Sequence, residues 1–178
     1  MSDLPRNHFK HALAAMQLQR GLWCQIGDSL AAEMMAGAGY DWMLFDTEHS
    51  ALDPASVLPL MQAAAPYPVS VIVRPPSLDV AVIKKLLDLG ARTILVPMVQ
   101  NAQEAALAVA AVRYPPRGIR GVAGATRAAG FGRIPGYHKH AHEETCLLVQ
   151  VETVEAVAEI EAIAALEGVD GIFVGPAD

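Results

Sequence analysis

Positive charge is scarce in this chain: 13 lysines and arginines stand against 19 acidic residues in 178, a formal net charge of -6. That balance argues against nucleic acid as a partner and against a basic membrane-binding face. Cysteine is scarcer still, and Cys24 and Cys146 both lie inside apolar runs. Two buried free thiols make no disulfide scaffold and point to a reducing compartment. The first dozen residues carry charge and histidine where a signal peptide has its apolar core. No run is long enough and free enough of charge to cross a bilayer, so the expectation is a soluble cytoplasmic protein with no membrane partner. The spaced glycines of a dinucleotide fingerprint are missing after the first strand candidate, where IGDSLAAE stands. The later AGAG at 36–39 ends a helix instead of opening one.

What is present is 53% hydrophobic content, enough for one sizeable core in a single domain. The apolar runs are short and alternate with helical stretches. Strands are expected over 22–26, 42–45, 69–73, 93–96, 146–149 and 172–174, with a doubtful one over 119–123. Helices are expected over 7–20, 30–38, 54–65, 78–89 and 101–113, and between the last two strands. Ser29, Asp53 and Asn101 are read as N-caps, and Gly21, Gly39 and Gly90 as stops. The glycine- and arginine-rich stretch 118–135 reads as a weak strand with a long loop, or as a loop alone. A connection of that length is more often a functional lid than filler.

The stretch that closes the chain organises the rest. Residues 146–178 form one strand, crossover helix and strand unit, with Glu152 and Asp178 just past the ends of its two strands. Those ends lie side by side in a parallel sheet. Two carboxylates converging without a nearby lysine or arginine make a hard, oxygen-rich pocket suited to a divalent cation. Asp46 with His49, Arg74, and Gln150 also follow the ends of strands, each a different one, which is how a closed barrel assembles a site; an open sheet gathers such residues at one switch point. The expected fold is therefore α/β, a (β/α)8 TIM barrel occupying 1–178 as one domain. Only six or seven strands can be counted and the sequence stops right after a strand, so the barrel is expected to be truncated before its last two strands.

Six ordered segments carry a resemblance that runs through nearly the whole chain: GAGYDWMLFDTEH (37–49), VRPP (73–76), LLDLGARTILVPMV (86–99), RYPPRGIRG (113–121), QVET (150–153) and GVDGIFVGPAD (168–178). Together they resemble the metal-dependent (class II) pyruvate aldolases that act on 4-hydroxy-2-oxoheptanedioate, 2-dehydro-3-deoxyglucarate and related acids of aromatic and sugar acid catabolism. The resemblance implies Glu152 and Asp178 as ligands of Mg2+, Mn2+ or Co2+, and Gln150 lining the same pocket. It implies Arg74 gripping the pyruvate oxygens, and the backbone of Gly175, Pro176 and Ala177 receiving the pyruvate carboxylate. His49 is implied as the histidine acting through or beside a metal-bound water, with Asp46 as its carboxylate partner. Asp88 is implied as an acid presented to the neighbouring subunit in a homohexamer. The substrates implied are a small keto acid and an aldehyde.

The chemistry is coherent without the resemblance. Breaking the C3–C4 bond of a 4-hydroxy-2-keto acid leaves a pyruvate enolate, so negative charge developing on the keto oxygen must be stabilised by a cation and by Arg74. Lys84 and Lys85 sit mid-helix, away from any strand end, and are not placed for a Schiff base. His49 is suited to move the proton of the 4-hydroxyl, with Asp46 fixing its tautomer. Asp88 has no local basic partner. His138, His140, His142 and Glu143 alternate as a weak second metal candidate in a polar loop, and Arg113, Arg117, Arg120 and Arg127 form a basic patch of open purpose. Two rival classes stand beside the aldolase: an oxaloacetate decarboxylase or citrate-lyase-like enzyme on the same scaffold, and a non-catalytic truncated paralogue acting as an interaction subunit.

Overall fold

The computed structural model describes residues 4–176. Six strands are present: β1 (Gly21–Cys24), β2 (Trp42–Asp46), β3 (Ser70–Arg74), β4 (Thr93–Val96), β5 (Cys146–Val151) and β6 (Gly171–Val174). They form one sheet in sequential order with every neighbouring pair parallel. Parallel neighbours require crossovers. These are α2 (Ser29–Ala36), α3 (Val57–Ala64), α4 (Val80–Asp88) and α5 (Ala102–Val112), then α6 (Tyr137–Glu144) before β5, and α7 (Val154–Ala158) with α8 (Ile160–Ala164) before β6; α1 (His8–Ala14) precedes them all.

The sheet curls. Trp23 of β1 and Phe173 of β6 belong to the first and last strands of the order, yet their rings lie 5.4 Å apart. The period-2 alternation of side chains sorts the strands into two faces. Met43, Phe45, Val73, Ile94, Val96, Leu147 and Val149 join the helices in the outer core. Leu44, Ile72, Leu95, Cys146 and Leu148 face inward with Trp23, Trp42 and Phe173, and Phe9 and Leu13 of α1 close the N-terminal end of that interior. Both thiols are buried and free, and burial pushes each above its ordinary pKa.

Several expected boundaries shift for local reasons. The α2 cap is Asp28, whose carboxylate accepts from the Ala31 N–H, and Ser29 is the first helical residue. Asn101 caps α5 as expected, through the Glu104 N–H. No strand forms over 119–123, because Arg120 turns inward while Ile119 and Val122 remain exposed. The connection before β5 carries the helix α6 where a polar loop was expected; its one buried residue is Ala141, so it lacks the apolar stripe that announces a helix. Its histidines do not converge: His140 pairs with Glu143, and among the described residues no three His, Cys, Asp or Glu side chains are grouped to hold a metal.

Candidate active site

The inward face ends, at the C-terminal edge of the sheet, in charge. Asp46 is the next inward position after Leu44, Arg74 after Ile72, and Gln150 after Leu148. Asp46 and Arg74 are register partners on β2 and β3. Their side chains meet as a fork, with Arg74 Nε donating to Asp46 Oδ1 at 2.9 Å and Nη2 to Oδ2 at 2.7 Å, where Asp46 is 0% and Arg74 5% exposed. Such bidentate charge-assisted pairs fix both partners in orientation as well as in charge. Arg74 Nη1 lies 2.9 Å from Glu48 Oε2 and 3.4 Å from Gln150 Oε1, and the guanidinium sits over the Trp23 ring. The negative charge that a buried arginine requires is thus supplied by Asp46 of β2 and Glu48 of the following loop, with a neutral amide oxygen from β5.

Asp46 collects donors besides Arg74. Trp23 Nε1 and Gln25 Nε2 both donate to Oδ2 at 3.1 Å, and the backbone N–H groups of Glu48 and His49 donate to Oδ1. Burial opposes ionisation here, but Arg74 with the bonds from Gln25, Trp23 and Glu48 outweighs it and holds the carboxyl far below its ordinary pKa. Glu48 goes the other way. Burial raises its pKa and the nearby Glu152 and Asp46 add to that, against the pull of Arg74 and His49.

The pairing of Asp46 with the His49 ring does not form. Asp46 touches His49 only through the backbone N–H, and the imidazole Nε2 instead faces Glu48 Oε1 at 3.7 Å. In-register Arg74 reaches Asp46 first. Glu48 is delivered by the same strand end as Asp46 and His49, but the sequence alone gives it no role, because its contact with Arg74 depends on the neighbouring strand.

Glu152 takes the Met98 N–H on Oε1 at 2.9 Å, and Met98 holds a left-handed φ of 53° that aims this N–H at the carboxylate. Gly175 stands beside it. A Cβ there would come within 2.7 Å of Gln150 Nε2 and 3.4 Å of Glu152 Oε2, so a larger residue would displace the Gln150 amide. Asp178 and Ala177 lie outside the described residues. Of the backbone donors expected in that loop, the Gly175 N–H is already given to the Val151 carbonyl and Pro176 has none.

Asp88 is not without a basic partner. Arg120, 0% exposed, donates Nη2 to Asp88 Oδ1 at 2.7 Å and stacks over Tyr114. The partner comes from 32 residues along the chain, beyond any local reading. Lys84 and Lys85 are exposed on α4, Lys139 is on α6, and Lys10 bonds Asp170 and the Thr145 carbonyl. None of the four lysines joins the charge cluster.

Comparison with known proteins decides the lineage. The family model described as HpcH/HpaI aldolase/citrate lyase matches residues 19–178. The chain belongs to that family. It is 58% identical over 176 residues to the pyruvate aldolase of Rhizobium etli, covering 99% of this chain and 69% of that protein. It is 52% identical to the 4-hydroxy-2-oxo-heptane-1,7-dioate aldolase of Salmonella heidelberg, covering 97% and 66%. An HpcH/HpaI aldolase/citrate lyase family protein of Burkholderia cenocepacia superposes with a TM-score of 0.93 at 41% identity, covering 96% of this chain and 69% of that one. The chain thus spans about two thirds of the length of these relatives, and their names support a carbon–carbon lyase of the aldolase type.

Proposed function

We propose that this chain carries the site of a class II pyruvate aldolase, cleaving 4-hydroxy-2-keto acids such as 4-hydroxy-2-oxoheptanedioate to pyruvate and an aldehyde. The observation that carries the reading is the inward ring of Asp46, Arg74, Gln150 and Glu48 at one end of a curled parallel sheet, with Glu152 beside it.

The excess of negative charge suits a divalent cation, although Asp46, Glu48 and Glu152 do not by themselves group as a three-ligand site. Asp46, Glu48 and Glu152 outnumber the single cation Arg74, and buried Glu48 Oε2 has no aligned hydrogen bond although Arg74 is near. Glu152 Oε2 faces the space a Cβ on residue 175 would fill. With Asp178 from the next strand end, Glu152 would hold Mg2+, Mn2+ or Co2+ through hard oxygens. Such an ion, when bound, supplies Lewis-acid polarisation of the keto group.

The chain's own side chains do the rest. Arg74, immobilised by the Asp46 fork, presents a fixed positive charge to the oxygen on which the enolate charge develops, and Gln150 beside it orients the same end of the substrate. His49, 67% exposed at its side chain, faces the open side, where it takes the proton of the 4-hydroxyl as the C3–C4 bond breaks. Gly175, Pro176 and Ala177 bring the chain past the carboxylate end of the substrate.

The whole protein is proposed as a cytoplasmic homohexamer of (β/α)8 barrels, with Asp88 presented to a neighbouring site. The six sequential parallel strands support the barrel, and among the described residues no helix is long and apolar enough to cross a membrane. The deciding assay measures pyruvate release from a 4-hydroxy-2-keto acid with and without Mg2+, Mn2+ or Co2+. Release should require the ion, and borohydride with pyruvate should trap no adduct. A lysine adduct that survives denaturation would replace this reading with Schiff-base chemistry, and turnover of oxaloacetate alone would replace it with decarboxylation. Light scattering, with Asp88→Asn lowering turnover in a folded hexamer, tests the shared site.

A further inference from the structure

The opposite edge of the sheet gathers charge of the other sign. Where β3 and β4 begin, a cavity of about 420 Å³ opens between residues 5–8 and the ends of α3 and α4, with Arg6, Arg92 and Arg127 in its lining and no carboxylate among the described residues there. Arg92 and Arg127 also line an adjoining hollow of about 270 Å³, together with Arg133. The one carboxylate of that second hollow, Glu144, is already engaged by the Asn7 N–H and the His11 ring. In a chain of net charge -6 this is a local reversal of sign.

Elsewhere the buried and half-buried arginines are answered by acids: Arg74 by Asp46 and Glu48, Arg113 by Glu167, Arg120 by Asp88. The arginines of the hollows are held by neutral oxygens instead. Arg92 Nη1 donates to the Arg6 carbonyl at 2.8 Å, Arg127 Nη1 to the Leu89 carbonyl at 2.8 Å and Arg133 Nε to the Gly130 carbonyl at 2.7 Å, and among the described residues none of the three forms an ion pair. Each guanidinium is thereby fixed in place while its charge lacks a paired carboxylate. Gly90 makes room for one of them: it holds a φ of 103°, and a Cβ there would stand 2.5 Å from Arg127 Nη1. Fixed like charges around one hollow oppose folding and are tolerated where an anion binds. Guanidinium forks match the oxygens of carboxylates and phosphates. Met61, Ala64 and Val71 give the larger cavity an apolar wall, which suits carbon between the acidic groups better than a bare inorganic ion.

We propose that this cavity is a second binding site, at the edge of the sheet away from Asp46, for a small organic acid with two anionic groups, a dicarboxylate or a phosphate ester, held by Arg92 and Arg127 with its carbon chain against the apolar wall. The proposal is independent of the aldolase reading.

Calorimetric titration with glutarate, glycerol phosphate and inorganic phosphate tests it on the wild type, on Arg92→Gln/Arg127→Gln and on Arg74→Lys. At least one organic acid should bind the wild type, survive Arg74→Lys, and weaken roughly 10-fold or more in the double variant, where two charge-assisted forks are lost. The tighter of the two organic acids shows which acidic group the site takes. Binding lost in Arg74→Lys and kept in the double variant would place the acid on the charge cluster and overturn the proposal. No binding at millimolar concentration would overturn it too, as would inorganic phosphate binding as tightly as either organic acid, since the apolar wall would then contribute nothing. Should the double variant not fold, Arg92→Gln alone, at an exposed residue with a single carbonyl bond, gives the same readings.

Discussion

The two ends of the curled interior both bury polar groups, and they do so in opposite ways. At the N-terminal end Asn7, 4% exposed, gives its amide hydrogens to the Arg92 carbonyl, the Thr93 hydroxyl and the Glu144 carbonyl, and its oxygen caps α1 through the Lys10 N–H. Its own N–H goes to the Glu144 carboxylate and its carbonyl accepts from His11, so every polar group of Asn7 is answered. At the C-terminal end two carboxylates, Asp46 and Glu48, share one arginine, with Glu152 close to Glu48, and Glu48 Oε2 is left without an aligned donor. A satisfied network specifies a fold, whereas an excess of buried like charge is tolerated where something else is to bind. The hollows do not follow this division: a cavity of about 420 Å³ lined by Asn7, Thr93 and Arg127 lies at the N-terminal end, away from the charge cluster.

The sharpest way to break the comparison is Arg74→Ala, which should fail on both counts. Removing a fixed charge from a developing oxyanion should lower turnover by about 3 kcal/mol in barrier, roughly 100-fold or more. It also leaves Asp46 buried without its cation, which should cost about 3–5 kcal/mol of stability. Steady-state kinetics and denaturant melts read the two losses. Turnover at wild-type rate would remove Arg74 from the mechanism.

His49→Ala touches the same end without unsettling it, since the ring is largely exposed. Cleavage should fall about 100-fold, in the range for a lost proton-transfer group. Exchange of the pyruvate methyl protons should persist. An equal fall in both rates would mean that the histidine also serves enolisation.

Much of the C-terminal end was legible in the sequence because strands have a period of two. Asp46, Arg74, Gln150 and Glu152 sit at or just past apolar runs, and their convergence follows from parallel order. What remained hidden needed register or long range. Asp46 was read with His49, its neighbour in sequence, whereas pairing with Arg74 follows from β2 lying in register with β3. Arg120 reaches Asp88 from a segment that could have been a strand, and α6 lacks an apolar stripe. At the N-terminal end Asn7 looked like the ordinary start of a helix; nothing local tells that its amide also closes the bottom of the interior.

Asn7→Ala therefore provides the opposing case to Arg74→Ala. It should cost about 1–3 kcal/mol, because the cap is lost and the Thr93 hydroxyl with the two carbonyls loses a buried donor. Turnover per folded subunit should be unchanged. A changed KM or kcat at wild-type stability would erase the division between a structural and a chemical end.

The smallest expected effect is in acid, and there the two carboxylates on Arg74 pull against each other. Asp46 has a folded pKa far below its unfolded one, so its contribution to stability is complete above about pH 4 and is lost as the pH falls through the depressed value. Glu48 has a folded pKa raised above its unfolded one, so folding favours its protonated form. Its contribution is present below the unfolded value and is lost as the pH rises through the folded one. In the metal-free protein Glu48→Gln should remove that second slope, making stability less dependent on pH just above the ordinary glutamate range, while the fall at lower pH due to Asp46 remains. Asn7→Ala should shift the whole stability curve down with little change in shape, because Asn7 does not titrate. Thermal melts of the three proteins from pH 3 to 7 separate these cases. If Glu48→Gln keeps the wild-type slope above pH 4, the carboxylate is not desolvated in the way its burial implies, and the excess of negative charge at this end of the sheet is smaller than the geometry indicates.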